Sequence, residues 1–470
     1  MEAYVIIVAC RGAVFFTTRG ENAILKRNPA SPGDLRGRTV LRAERRIMQK
    51  NWYRLDTAAL IFPAVARRDW SNAFRVSVTL TEPVDEAILQ QAADDMRARF
   101  PLFFVTLHKG FFWYYLEDSG QRVTVRPDYS YPLTFMSSRE LRQNCLRILY
   151  YKNRIAAEFF HSLTDGRGGS IFLMNLTARY LELKYGLTIP RDGTIRDLTE
   201  PPPPEELEDS FFKNAAKVAA GRREDSSYRL RGTRESAGFR HLTCGIVDTQ
   251  ALIGMAHKYG VSVTAFLAAV MAQCVMDMQA LVRPLKRQRP VKITIPVDLR
   301  RLFGSRTMRN FSLVLNIGAD PRFGDYTLEE LCKTVYHQLC ADATRQNMAG
   351  MIAANVQPQQ LAALRLAPVF LKNLVMDLVY RRTGERGGSL NISNLSHVEL
   401  PAVMQPYIGR MEFIIGPQRT YPNNCSVLSC GGKTYINMIR SIQEPELERR
   451  FFSRLVELGL AVEIESNDRR

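Results

Sequence analysis

The 470-residue sequence is short of several things, and each shortage closes off a class of chemistry. Its eight cysteines never fall in a CxxC spacing, and Cys425 and Cys430 are the nearest pair. Such dispersal argues against a disulfide framework and against a zinc site, and it predicts reduced, mostly buried thiols in a cytoplasmic protein. No GxSxG motif follows a strand, so a serine-hydrolase nucleophile elbow is missing. The longest apolar run, residues 261–278, is interrupted by Gln273 and Asp277; it predicts a buried helix and no transmembrane segment. The opening MEAYVIIVAC has no basic residue before its apolar core, so no secretory signal is expected. Histidine is scarce, with six in the chain.

Positive charge is what the chain has in excess. The formal net charge is +17, with denser clusters at 36–50, 283–292 and 300–309. A nucleic-acid partner would explain this, but no helix-turn-helix, zinc knuckle or RNP aromatic pattern accompanies it. An anionic small molecule or an acidic protein fits equally well. Hydrophobic residues make up 46% and charged residues 24%, the proportions of a folded soluble chain too long for one core.

Residues 1–47 are basic, loop-forming and aperiodic; they predict a disordered extension, with Met48 a candidate natural start. From Asn51 the pattern is regular. AFRVSVTL alternates as a strand with Phe74, Val76, Val78 and Leu80 on one face, and a helix and further strands follow. An N-terminal unit is expected over 48–195. Residues 196–238, with four consecutive prolines and then a polar stretch, predict a linker. A second unit is expected over 239–470: strands from HLTCGIVD and VKITIPVD, helices over about 327–346 and 358–380, then three more strands and a closing helix. The aromatic run GFFWYY (110–115) is expected in the core or in a tunnel wall.

One short stretch carries chemistry. In AAEFFHSLTDGRGGSIFL (156–173) a strand-like run ends at His161, with Asp165 and Gly166 just behind it and a helical pattern after. An imidazole is a competent base at neutral pH if its ring is held in one tautomer and left accessible. Asp165 could reach that ring, or could pair with a distant arginine and hold the loop. The glycines permit a sharp turn and close approach of a ligand. No further metal ligands stand at consistent spacing.

This stretch resembles the HxxxDG signature of the CoA-dependent acyltransferase superfamily, which includes chloramphenicol acetyltransferase, condensation domains, plant acyltransferases and alcohol acetyltransferases. ITIPVDLRRLFGSRTMRNFSLVL (293–315) is similar to that family's P-V-[ND]-x-R turn and R-N-F segment. ISNLSHVELP (392–401) is similar to its S-N-L segment, and the resemblance spans roughly 48–465. It implies a mixed α/β fold of two chloramphenicol-acetyltransferase-like domains with mixed sheets and an active-site tunnel at their interface. His161 would be the general base, Asp165 a structural acid paired with Arg300, and Gly166 the turn residue. Phe160 stands where many members have a first histidine, and DFGWG is missing. Both departures point to the alcohol acetyltransferase-like branch and leave the oxyanion donors open, with Ser393 and Asn394 as candidates.

The resemblance implies acyl transfer from acyl-CoA, as co-substrate and with no tightly bound cofactor, to a small hydroxyl or amine acceptor. Arg283, Lys286, Arg287, Arg289 and Lys292 are candidates for the CoA phosphates. Two alternatives share the fold: a condensation-type enzyme docking an acidic acyl-carrier protein, and a non-catalytic nucleic-acid-binding or scaffold protein.

Overall fold

A computed structural model describes residues 52–468 apart from 68, 69, 71, 119, 220–224, 236, 237, 380–385 and 419. The expected extension at 1–47 and Cys10 lie outside the described residues.

Two sheets organise the molecule, with a small one at the side. The first runs Ile408–Ile415, Ala73–Leu80, Arg154–Phe160, Leu146–Tyr151 and Arg126–Pro127. The second has seven strands in the order Ser312–Ala319, Val291–Asp298, Leu390–His397, Asn423–Cys430, Lys433–Arg440, His241–Asp248 and Val462–Ser466. Both are mixed: Leu390–His397 runs parallel to each of its neighbours, and Arg126–Pro127 runs parallel to Leu146–Tyr151, while the other pairings are antiparallel. The third sheet pairs Trp52–Arg54, Tyr114–Asp118 and Val105–Lys109.

The alternation in Ala73–Leu80 is that of a strand whose Phe74, Val76, Val78 and Leu80 enter the N-terminal core. Its other face is also covered. There the buried Arg75 is held by Asp128 at 2.7 Å and Glu158 at 2.8 Å, so the charge is neutralised where it is desolvated. The turn at Lys152 takes a positive φ of 52° and joins two antiparallel strands, as the sequence KN between apolar runs predicts. Val263–Val282 is, among the described residues, the one helix long and apolar enough to cross a membrane; its Ala265–Ala272 stretch lies wholly in the C-terminal core.

The structure departs from the sequence reading in four places. The strand Ile408–Ile415 comes from the second half of the chain but hydrogen-bonds to Ala73–Leu80 of the first, so a division at 239 does not separate the sheets in space. Within 196–238, residues around 206–211 are built into the molecule: Ser210 and Phe211 are fully buried, and Glu206 accepts two bonds from Arg99, at 2.7 and 3.0 Å. The helix expected over about 358–380 is not continuous: the end of Arg345–Gln360, then Ala362–Leu366 and Val369–Val379 occupy that range, with Pro368 immediately before the last. Finally, GFFWYY is neither core nor cavity wall at its tip, where Phe111 is 67% and Trp113 50% exposed.

Candidate functional site

The strand Arg154–Phe160 is buried from Ile155 to its end, and His161 follows directly. The His161 backbone N–H still donates to the Asn72 carbonyl at 2.8 Å, so the residue is held as a continuation of the sheet. The chain then turns through Ser162–Thr164 and enters the helix Gly166–Tyr185, with Asp165 as N-cap. This helix stops at Gly186, which adopts a φ of 66°.

Asp165 is fully engaged. One carboxylate oxygen accepts from the Gly168 N–H at 3.2 Å and the other from the Phe311 N–H at 2.9 Å. Arg300 adds a fork of two bonds at 2.9 and 3.0 Å, and itself donates to the carbonyls of Thr307 and Arg309. Burial pushes the Asp165 carboxyl up, but Arg300 and these N–H donors outweigh it and hold the group below the usual carboxylate range. Asp165 and Arg300 thus tie the helix start to the 298–311 loop of the other half. The turn tolerates no side chain at Gly168, where a Cβ would sit 2.1 Å from Thr164 Oγ1 and 2.5 Å from the Met308 carbonyl.

The His161 ring is oriented by a different residue. Asn310 donates its amide to the His161 carbonyl at 2.9 Å and to Asp56 Oδ2 at 3.1 Å. Both of its N–H groups are therefore spent, and its Oδ1 faces His161 Nδ1 at 3.0 Å. An oxygen can only accept, so the Nδ1 must carry the ring proton and Nε2 holds the free lone pair. Phe62 stacks on the ring at 4.4 Å, and the edge of Phe74 meets it at 5.2 Å. Burial in this aromatic clamp lowers the His161 pKa from its ordinary value, so the ring is neutral at neutral pH.

Behind Asn310 lies Asp56, fully buried, which also accepts from the Ala59 N–H at 2.7 Å. Burial raises its pKa to about 7 against the pull of Arg309, whose Nε lies 3.7 Å away. Asp56, Asn310 and His161 form one line of hydrogen bonds reaching from the interior to the ring.

His161 lines a cavity of about 840 Å³ between the two halves. Ser393 and Asn394 line it too, from the strand Leu390–His397. The Asn394 amide is committed, donating to Thr264 Oγ1 at 3.0 Å and accepting from the Ser396 N–H at 2.7 Å. None of Arg283, Lys286, Arg287, Arg289 and Lys292 reaches the cavity; the first packs over Tyr228 at 5.4 Å and the next two lie on an exposed 3₁₀ turn. Other arginines do line it: Arg167, Arg196, Arg301 and Arg306. Arg196 has a lowered pKa, caused first by burial, with Glu206 opposing and Arg99, Arg306 and Arg167 adding to the fall. The sequence signal for two of these four was the 300–309 cluster, since Arg301 and Arg306 fall within it.

No protein-family model matches the chain, and neither does any curated protein sequence. Solved structures do match. F. graminearum TRI101, complexed with coenzyme A and T-2 mycotoxin, superimposes with a TM-score of 0.59 at 10% identity, over 88% of this chain and 99% of that one. The starter condensation domain of rhizomide synthetase RzmA, in complex with C8-CoA, gives 0.56 at 12% identity over 89% and 96%. Polyketide synthase associated protein 5 from Mycobacterium tuberculosis gives 0.54 at 14% identity over 86% and 96%. The fold is that of the CoA-dependent acyltransferases and condensation domains. Near-complete coverage of those chains extends the likeness of fold to both halves.

Proposed function

We propose that the protein is an acyltransferase that moves an acyl group from acyl-CoA to a small alcohol or amine, with His161 as general base. The observation that carries this is the fixed tautomer of His161 at the wall of a cavity between two halves. Nε2 takes the acceptor's proton as its oxygen or nitrogen attacks the thioester carbonyl. The tetrahedral intermediate collapses with loss of CoA thiolate, and the imidazolium returns the proton to sulfur, so the ring ends as it began. Ser393, whose neighbour Asn394 is engaged elsewhere, is the better candidate to donate to the oxyanion.

The cavity arginines take over the role first given to the 283–292 cluster. Arg167 and Arg306 stand close enough to Arg196 to lower its pKa, and the one acid opposing them, Glu206, is shared between Arg196 at 3.6 Å and a fork from Arg99. A phosphate-bearing donor would relieve that repulsion. A carrier-bound donor carries a phosphate on the same thiol arm, so the arginines favour it too.

The test is release of free thiol from short and long acyl-CoA against a panel of alcohols and amines, with product mass confirmed. Acceptor-dependent turnover is expected in the wild type. Arg306→Ala should raise KM for acyl-CoA and leave KM for an acyl N-acetylcysteamine, which has no phosphate, unchanged. Equal effects on both donors would remove the arginines from donor binding. Turnover only with a carrier-loaded donor, lost at high salt, would assign the condensation-type reading.

A further inference from the structure

The helix Val369–Val379 exposes Phe370, Leu374 and Leu378, each four residues from the last, at 64, 66 and 48%. That spacing places them in one stripe along the helix. The opposite side is seated: Val369 is buried and Met376 packs against the N-terminal core. Three bonds fasten the hairpin tip 110–114 to the same helix. The Val369 N–H donates to the Phe111 carbonyl at 2.7 Å, Lys372 Nζ to the Phe112 carbonyl at 2.6 Å, and Asn373 Nδ2 to the Tyr114 hydroxyl at 2.7 Å. The tip exposes Phe111 and Trp113 next to this helix, and Leu366 is 70% exposed on the helix before it. Soluble monomers rarely leave so many large apolar side chains uncovered on adjoining elements.

The charge around this face selects its partner. Between 361 and 379 Arg365 is an exposed cation, Lys372 has its ammonium held by the Phe112 and Arg365 carbonyls, and the one acid is Asp377, while Lys109 is exposed at the base of the hairpin. The whole chain carries +17. We propose that this face docks on the surface of a bilayer containing anionic lipid, with the aromatic tip and the leucine stripe in the headgroup boundary and Arg365 and Lys109 against lipid phosphates. A second copy of the chain would set the same cations against one another, whereas an anionic membrane answers both the apolar stripe and the charge. Tryptophan and phenylalanine at a tip flanked by lysine and arginine suit that boundary, where one end of a side chain is apolar and the other wet.

The docked face also stands beside the cavity. Val369–Val379 packs on the short helix Ile61–Val65, whose Ile61 and Phe62 line it. Under the acyl-transfer reading, on which this one consequence rests, an apolar acceptor or acyl chain dissolved in the bilayer lies one helix away from His161.

The experiment is flotation of the purified full chain with vesicles of phosphatidylcholine alone, and of phosphatidylcholine and phosphatidylserine in equal parts. Wild type is expected to float with the mixed vesicles, and the double variant Phe370→Glu/Leu374→Glu to lose about tenfold in bound fraction while keeping its circular dichroism and melting temperature. Phe323→Glu, at an 83% exposed site on another face, controls for added negative charge and should bind as wild type does. Three results would overturn the proposal: wild type that stays unbound with mixed vesicles, equal loss in the Phe323 variant, or a wild-type dimer in sedimentation that the double variant dissociates. None of them bears on the thiol-release assay, so the docking and the chemistry stand or fall separately.

Discussion

At the scale of residues, the site rests on which nitrogen of His161 is free. His161→Ala should lower kcat by about 10²–10⁴-fold, the worth of a positioned base, without moving the melting temperature much. The acid limb of kcat/KM should fall below the ordinary 6.5 of histidine, because burial disfavours the imidazolium. Asn310 opposes that shift by accepting from the ring, so Asn310→Ala should move the limb lower still while reducing kcat more than it changes KM. A residue that merely fills space would leave the limb where it is. Asp56 predicts a second inflection near pH 7, since its ionisation alters the group to which Asn310 donates; Asp56→Asn should abolish that inflection and leave the acid limb. Sequence spacing alone showed His161 and Asp165, which are four positions apart. Asn310 was visible only as part of an R-N-F segment, and its hydrogen bond to His161 spans 149 positions. Asp56 gave no signal, because a lone acid in an apolar context looks like any loop carboxylate.

At the scale of elements, the start of the helix Gly166–Tyr185 is a joint between the halves. Gly168→Ala would drive a Cβ into a main-chain carbonyl, and should cost about 1–3 kcal/mol, measured as a lowered denaturant midpoint. Arg300→Ala would leave the buried Asp165 with backbone donors alone. A loss of about 3–5 kcal/mol is expected there, together with activity, because the loop bearing Asn310 is tied through the same carboxylate. Strands such as His241–Asp248 and Val291–Asp298 were legible because apolar residues and turn residues bound them sharply. The strand Val462–Ser466 was not: its residues past Val462 are all exposed, two of them glutamates, and only pairing along His241–Asp248 makes it a strand. The basic cluster at 283–292 illustrates the same limit. Charge density is a property of sequence, but whether it reaches a cavity depends on the crossing of distant elements.

At the scale of the whole molecule, buried carboxylates of opposite character set the acid response. Asp165 is held below the usual range, so its contribution is present above about 3.8 and fades as pH falls through its native value. Asp56 is raised, so the native state keeps a proton that the unfolded chain has lost; its contribution is greatest below 3.8 and is gone once pH passes about 7. Melting at a series of pH values should show Asp56→Asn flattening the decline between these limits. The overall two-part architecture was readable from element order, but the exchange of Ile408–Ile415 into the first sheet was not, since nothing in RMEFIIGP names the sheet it joins. That exchange also sets a timetable. While the chain is being made, the edge of Ala73–Leu80 waits unpaired through more than three hundred further residues before its neighbour leaves the ribosome. An open strand edge of this kind is a site for wrong pairing. A fragment ending at residue 238 should therefore aggregate where the full chain folds, and the cell's holding chaperones should meet this protein during synthesis, before its last hundred residues have been added.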